Sequence, residues 1–363
     1  INSLQELAQE IKEKDPDLII TISPHGPVFR ESISVLDTPE PEGDFGEFGH
    51  PEVSFKEKND IDFIAHSFVR NKEDVFAIKE ALGKRAEDIK ILAKIEDQEG
   101  IDNLDEILDN VYGVMIARGD LGVELPAQKI PEIQREIVKK CIERKKVVTV
   151  ATQMLHTMIE NPRPTRAEVS DVANAVYLGA DSIMLSGETA YGDYPEEAVE
   201  TMSNIAKEIE GHREPIDESS IKTMNNEIAA FLARAAVRST LDLDIKAIVL
   251  DTLRGRTPRY VSAFRGKRPV FAQCYDKKVM RQLALSYGII PSYKEVKSSP
   301  DEFISDIVVP LVKKRHFKDE DMITILAGSF DPSHGASFME ISEVKNLVDP
   351  DQEEGDSDDK SEK

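Results

Sequence analysis

Between Ile89 and Val123 the chain runs IKILAKIEDQEGIDNLDEILDNVYGVMIARGDLGV, and two short apolar runs in it each break off into charge. The first, Ile89 to Ile95, delivers Lys94 and Glu96; the second, Val111 to Ala117, delivers Arg118, Gly119 and Asp120. Successive side chains of a strand alternate between faces, so Lys94 and Glu96 point the same way. Charge at the C-terminal end of buried parallel strands is where barrel and open α/β proteins place their chemistry. One ammonium and two carboxylates beside an arginine suit a metal-assisted reaction on an anionic substrate. Glu96 and Asp120 would hold a hard cation such as Mg2+, and Lys94 would offset negative charge developing on the substrate. The bland alternative is a surface salt-bridge cluster, because K-x-E and R-G-D strings are common.

From Asp60 onward strands and helices alternate regularly. Strand candidates are Asp62 to Ala65, Lys90 to Ile95, Tyr112 to Ala117, Val147 to Ala151 and Ser182 to Leu185. Helical apolar spacing separates them at Lys72 to Leu82, Asn103 to Leu108, Ile130 to Arg144 and Arg166 to Leu178. Strand starts recur every 22 to 35 residues, the size of a βα unit. That period predicts a parallel sheet of the (β/α)8 type. The strand ends carry further polar groups: Ser67 and Arg70, then Thr152, then Ser186 and Glu188. A helix over Pro195 to Ile209 completes the last unit, and a polar linker follows near Gly211 to Ser220.

A second α/β pattern begins beyond the linker. Asn225 to Leu241 is helical, and Ile245 to Leu250, Pro269 to Ala272 and Met322 to Ala327 read as buried strands. Further helices are expected near Lys277 to Tyr287 and Asp301 to Lys313. The predicted fold class is α/β, an incomplete (β/α)8 TIM-type barrel followed by a smaller α/β C-terminal domain. The expected division is residues 1–59, a barrel over 60–210, the second domain over 211–348, and a disordered acidic tail over 349–363.

The first 59 residues have another texture. Ser3 to Lys14 has helical spacing, Asp17 to Ile22 reads as a strand, and the Pro-, Gly- and acid-rich stretch from Thr38 to Pro51 reads as a loop. His25, just past the strand candidate, is a possible metal ligand or base, against the plainer reading of a loop histidine.

With 46 basic and 69 acidic residues in 363, the net charge is −23, which argues against nucleic acid and anionic membranes as partners. Eight of the acids sit in the tail from Asp349 to Lys363. Cys141 and Cys274 lie far apart with no metal-ligand spacing, so a reducing cytoplasm is expected. No apolar run approaches the ~18 residues of a membrane span, and no signal peptide opens the chain. The chain begins with Ile, which suggests that its natural start is missing.

Two resemblances refine these expectations. DPDLIITISPHGPVFRESISV and GDFGEFGHPEVSF resemble part of a class III extradiol-dioxygenase-like (Memo-like) protein over about residues 1–55, where the SPH histidine would be His25. The family's other ligands are absent and a lone ligand does not hold a metal, so that activity is not carried over. FIAHSFVR, ILAKIEDQEG, GVMIARGDLGVELP, ATQMLHTMIENPRPTRAEVSDVANAV and SIMLSGETAYGDYP resemble the pyruvate kinases, motif by motif and in order, from about Asp60 to residue 348.

The second resemblance implies transfer of a phosphoryl group from phosphoenolpyruvate to ADP, giving pyruvate and ATP in cytoplasmic glycolysis. It implies Mg2+ (or Mn2+) and K+ as cofactors and a homo-oligomer, a tetramer in the family. Lys94 matches the lysine that stabilises the transferring phosphoryl group, with Arg118 beside it. Glu96 and Asp120 match the metal ligands. Gly119, Asp120 and Thr152 match the phosphoenolpyruvate carboxylate site, and Ser186 lies where a proton relay to the enolate has been proposed. Arg163 and Arg166, in the PRPTR stretch, match a region at a subunit interface near the active site. Thr252, Arg254, Gly255, Arg256 and Thr257 match the effector-phosphate loop, so a sugar phosphate is a possible effector. A plain strand–helix turn is the alternative there. The loop Gly328 to Ser337 departs from the family pattern.

The family's first three barrel strands and inserted lid, with the K+ ligands they carry, are not found here. The sequence therefore reads as a chimera joined near Phe55 to Asp60, with impaired turnover expected. Alternatives are a non-catalytic effector-binding or oligomerisation chain, and residual Mg-dependent enolate chemistry on small oxo-acids.

Overall fold

The computed structural model describes residues 42–45, 50–56, 61–213, 221, 227–295, 311, 317–328 and 336–347. The helix and strand expected over Ser3 to Lys14 and Asp17 to Ile22, His25, the helix over Asp301 to Lys313 (apart from residue 311) and the acidic tail lie outside these residues. Two compact units emerge, residues 1–115 and 116–363.

In the first unit, β1 (Glu42–Phe45) and β2 (His50–Lys56) pair antiparallel, with a register irregularity between Asp44 and Phe45. This corrects the expected loop over Thr38 to Pro51. Pro and Gly density masks the short alternation in HPEVSFK, with Val53 and Phe55 two apart, and that alternation is the strand signal.

After it come β3 (Phe63–His66), α1 (Lys72–Leu82), β4 (Lys90–Ile95), α2 (Gln98–Asp102), α3 (Leu104–Asn110) and the start of β5 (Gly113–Ala117). β3 runs parallel to β4, with Phe63 opposite Lys90. The bounds of α1 follow from its ends. The Asn71 side chain accepts the Asp74 N–H at 3.1 Å, Glu73 and Asp74 occupy the first turn, and Gly83 follows the last turn at φ 54°. Its apolar face buries Val75, Ile78 and Leu82, and α3 buries Leu104, Ile107 and Leu108.

The second unit continues with α4 (Arg118–Glu124), α5 (Ile130–Glu143), β6 (Val147–Ala151), α6 (Arg166–Leu178), β7 (Ser182–Met184), α7 (Gly187–Ala190) and α8 (Pro195–His212). α4 ends where the Leu125 N–H closes onto the Leu121 carbonyl at 2.8 Å. α6 begins at a capping box in which Thr165 and Glu168 satisfy each other's main chain. β6 and β7 are parallel, and the sheet order is β3-β4-β5-β6-β7, which is also the chain order. Five strands in sequential order, alternating with helices, give a barrel-like sheet of the expected class.

The C-terminal sheet is built from β8 (Ile245–Thr252), β9 (Val270–Cys274), β10 (Ile289–Tyr293), β11 (Met322–Ala327) and β12 (Phe338–Glu343), in the order β10-β9-β8-β11-β12. All neighbours are parallel except β12, which pairs antiparallel with β11. Strand alternation splits β8 between two apolar layers. Ile248 and Leu250 pack with Val237 of α9 (Glu227–Asp242), Val261 of α10 (Arg256–Ala263) and Leu283 of α11 (Lys277–Leu283). Ala247 and Val249 pack with Phe271, Ile325 and Val344 on the other side. α11 stops at Leu283, short of the expected Tyr287.

Candidate active site

β4 carries the first group of site residues. Lys94 Nζ lies 2.6 Å from Glu96 Oε1, and the Glu96 side chain is only 1% exposed. Two residues apart on one strand, the side chains share a face, as their spacing demands. Glu96 Oε2 accepts the Phe68 main-chain N–H at 2.5 Å, and Ser67 Oγ accepts from Lys94 Nζ at 2.9 Å. The next residue, Asp97, is also buried. Its Oδ1 caps α2 by accepting the Gly100 N–H at 2.8 Å, and its Oδ2 accepts from Arg70 Nε at 2.9 Å. Beside this cluster, burial holds the His66 imidazole below its ordinary value, opposed by the Asp74 carboxylate.

The second unit carries the other group. Arg118 is buried at 8% exposure. Its Nη1 donates to Asp171 Oδ1 and Oδ2 at 2.7 and 2.6 Å, and its Nη2 donates to the Thr152 carbonyl at 2.7 Å. Met154 Sδ and Gln134 Oε1 lie against the same guanidinium. These contacts make Arg118 a brace for its own loops. Thr152 has φ 70°, a conformation that disfavours a β-branched residue. Its carbonyl is held by Arg118, and its Oγ1 accepts the Gly119 N–H at 2.8 Å while donating to the Ala151 carbonyl at 2.6 Å. The hydroxyl and amide expected to receive a carboxylate are thus adjacent and bonded to each other. Asp120 stands beside them, half-buried in the first turn of α4.

Ser186 closes β7. Its main-chain N–H donates to Glu188 Oε2 at 2.8 Å, and Glu188 Oε1 accepts the Leu155 N–H at 3.1 Å. The buried Glu188 therefore ties the loop after β7 to the loop after β6. Glu168 does the same for the turn at Thr157, accepting that residue's N–H at 2.7 Å and also its hydroxyl.

The effector-loop residues also fall together. Thr252 Oγ1 accepts the Gly255 N–H at 2.9 Å, and Gly255 takes φ 68° just before α10. A Cβ there would lie 3.2 Å from Leu283 Cδ2, so both space and conformation favour glycine. Arg254 is exposed, Arg256 half-buried and Thr257 buried.

The sequence marks Glu96 and Arg118 but not the residues that hold them: Phe68 for Glu96, and Asp171 and Gln134 for Arg118. Those partners are up to 53 residues from the groups they hold, and no local spacing marks them. Among the described residues, no group of three or more His, Cys, Asp and Glu side chains could hold a metal ion. Glu96 and Asp120 each offer oxygen donors of the kind that suits Mg2+, which is commonly held by one or two carboxylates with water and phosphate oxygens completing its shell. No helix among the described residues is long and apolar enough to cross a membrane.

Known proteins place this arrangement. The family model "Pyruvate kinase, barrel domain" matches residues 30–199, starting upstream of the expected limit near Asp60, and "Pyruvate kinase, alpha/beta domain" matches residues 231–342. The chain is 43% identical over 301 residues to a pyruvate kinase of Borreliella burgdorferi, covering 82% of this chain and 63% of that protein. It is 42% identical to the pyruvate kinases of Bacillus licheniformis and Geobacillus stearothermophilus, again over 82% of this chain, and covers 53% and 51% of them. The chain thus spans between half and two thirds of the length of these relatives. Matched by both domain models in order, it belongs to the pyruvate kinase family.

Proposed function

We propose that this chain carries the phosphotransfer machinery of a pyruvate kinase, moving the phosphoryl group of phosphoenolpyruvate to ADP. The observation that carries the reading is the Lys94–Glu96 pair. An ammonium and a carboxylate 2.6 Å apart, with the carboxylate almost fully enclosed, close a parallel strand in a chain of this family. A buried charge pair is costly to desolvate, and its net contribution to stability is small or negative, so its place at a strand mouth suits a functional role.

Each residue has work that its chemistry allows. Thr152 Oγ1 and the Gly119 N–H would take the substrate carboxylate, exchanging their mutual bond for bonds to the anion. Lys94 would sit against the phosphoryl oxygens, where charge spreads as the enol P–O bond breaks and the bond to the ADP oxygen forms. The enolate left behind takes a proton at carbon to become pyruvate, with Ser186 proposed in the relay. Glu96 and Asp120 would hold Mg2+, which when bound neutralises phosphate charge. K+, a glycolytic role, oligomerisation and a sugar-phosphate effector at Thr252 to Thr257 belong to the same reading, as does a cytoplasmic location.

A coupled assay for pyruvate on the purified chain, with and without ADP and with Mg2+ or Mn2+, tests it. ADP-dependent pyruvate formation that disappears in Lys94→Met is expected. Pyruvate formation unaffected by Lys94→Met would sink the assignment.

A further inference from the structure

After β3 the chain turns through Ser67, Phe68, Val69 and Arg70, and this loop is fastened residue by residue to the end of β4. Ser67 Oγ accepts from Lys94 Nζ at 2.9 Å, the Phe68 N–H donates to Glu96 Oε2 at 2.5 Å, and Arg70 Nε donates to Asp97 Oδ2 at 2.9 Å. Asn103 Nδ2 donates to the Arg70 carbonyl at 2.9 Å. The Val69 carbonyl passes so near Gly100 that a Cβ there would lie 2.7 Å from it.

Phe68 pays twice for its place in this loop. Its φ is 53°, in the left-handed region that a bulky residue rarely adopts, and it is 52% exposed. Strain of this kind persists only where surrounding contacts over-determine it, and it gathers at functional sites. What the conformation accomplishes is visible in the hydrogen bonds. It turns the Phe68 peptide so that its N–H meets Glu96 while the preceding side chain meets Lys94.

We infer that the Ser67–Phe68 turn is the positioning element for Lys94 and Glu96, acting through the Ser67 hydroxyl and the Phe68 main-chain N–H rather than through the aromatic ring. A carboxylate offers about four lone-pair positions, and Lys94 and Phe68 each engage a different oxygen. Two donors from different directions fix the plane of the carboxyl group. The turn therefore sets the orientation of the Glu96 carboxyl group.

The positioning role rests on the phosphotransfer reading; the hydrogen-bond geometry does not. The test accordingly combines residue-resolved amide hydrogen exchange with Mn2+ affinity read by electron paramagnetic resonance, using the full chain and the variants Phe68→Gly, Phe68→Val, Ser67→Ala, Ser67→Thr and Glu96→Ala. Although Phe68 is half-exposed, its amide is expected to exchange about tenfold or more slowly than an unbonded amide, as a bond to a charged acceptor implies. That protection is expected to vanish in Glu96→Ala.

Glycine adopts φ 53° without strain, so Phe68→Gly is expected to keep the protection and the Mn2+ affinity. A β-branched residue resists that φ, so Phe68→Val is expected to lose the protection and to weaken Mn2+ binding about tenfold, the scale of a lost supporting partner. Where the chain turns over, Ser67→Ala is expected to lower kcat with little change in KM, and Ser67→Thr to restore it. Absence of Mn2+ binding and of turnover in the unsubstituted chain would count against the phosphotransfer reading alone, and the inference would then stand or fall on exchange. A Phe68 amide exchanging at the solvent rate overturns the inference, as does Phe68→Gly behaving like Phe68→Val.

Discussion

Arg265, just beyond α10, reaches Asp181, just before β7, with Nη2 2.6 Å from Oδ2 and both side chains at most 3% exposed. The Asp181 carboxylate also accepts the Val148 N–H and the Tyr287 N–H at 3.0 Å each, and Arg265 Nε donates to the Gly179 carbonyl at 2.9 Å. This knot ties the end of the barrel-like segment to the C-terminal domain. Arg213 stacks over the Tyr287 ring at 4.6 Å and donates to the Arg265 carbonyl.

The two partners are not equivalent when one is removed. Asp181→Ala leaves a guanidinium that cannot shed its proton and two main-chain donors without their acceptor, so a loss of about 3–5 kcal/mol is expected in urea unfolding. Arg265→Met leaves a carboxyl that burial already pushes upward and that can take up a proton. Its cost should therefore be smaller at pH 5 than at pH 8. Equal losses for both variants at both pH values would contradict this account.

Lys94→Met and Glu96→Gln separate charge from packing. Lys94→Met removes the ammonium facing the phosphoryl group, and loss of a transition-state charge contact typically costs about 100- to 1,000-fold in kcat. It also takes the Lys94 ammonium away from the buried Glu96 carboxylate. Glu96→Gln keeps the shape and the acceptor for Phe68 while removing the charge. Both are expected to abolish pyruvate formation, with Lys94→Met the less stable of the two by thermal melting. A Lys94→Met chain as active and as stable as the parent would show the pair to be incidental.

Arg118 is expected to act through Thr152 rather than on substrate. Lysine cannot reproduce a fork that grips both Asp171 oxygens and the Thr152 carbonyl together. Arg118→Lys should therefore lower stability by about 2–3 kcal/mol and raise the KM for phosphoenolpyruvate more than it lowers kcat. The reverse split would instead make Arg118 a transition-state contact.

How much of this could be read from residues alone follows the range of the interactions. β4, β6, α1 and α6 have the expected limits because their signals are local: an unbroken apolar run, the Asn71 cap, the Thr165–Glu168 capping box. The Lys94–Glu96 pair is legible for the same reason, since two residues on a strand share a face. β10 and β12 are not among the expected strands. β10 holds Pro291 and Ser292, and β12 (FMEISE) lies at the sheet edge with several exposed residues, so neither shows a long apolar run. The braces are illegible for a different reason. Asp171 serves Arg118 across 53 positions and Phe68 serves Glu96 across 28, and only folding brings them together. An acid on a helix surface and an aromatic after a strand carry no mark of those roles.

Asp251 gives a pH dependence whose sign can be worked out. It lies near the end of β8, beside Tyr275, whose hydroxyl donates to Oδ2 at 3.4 Å. Burial pushes its carboxyl up from 3.8 to about 6, only partly opposed by hydrogen bonds. The folded state therefore holds this proton over a window, from about pH 4 to 6, in which the unfolded chain has lost it. Stability from this group is fully present below the unfolded value and is lost as pH rises through the window, by about 1.4 kcal/mol per unit and ~3 kcal/mol at most. Asp251→Asn cannot ionise, so its stability relative to the parent should rise between pH 4 and pH 7 and then level off. Urea unfolding of both proteins at half-unit steps measures this. A difference that stays flat from pH 4 to pH 8 would mean that Asp251 ionises as readily in the fold as in the open chain.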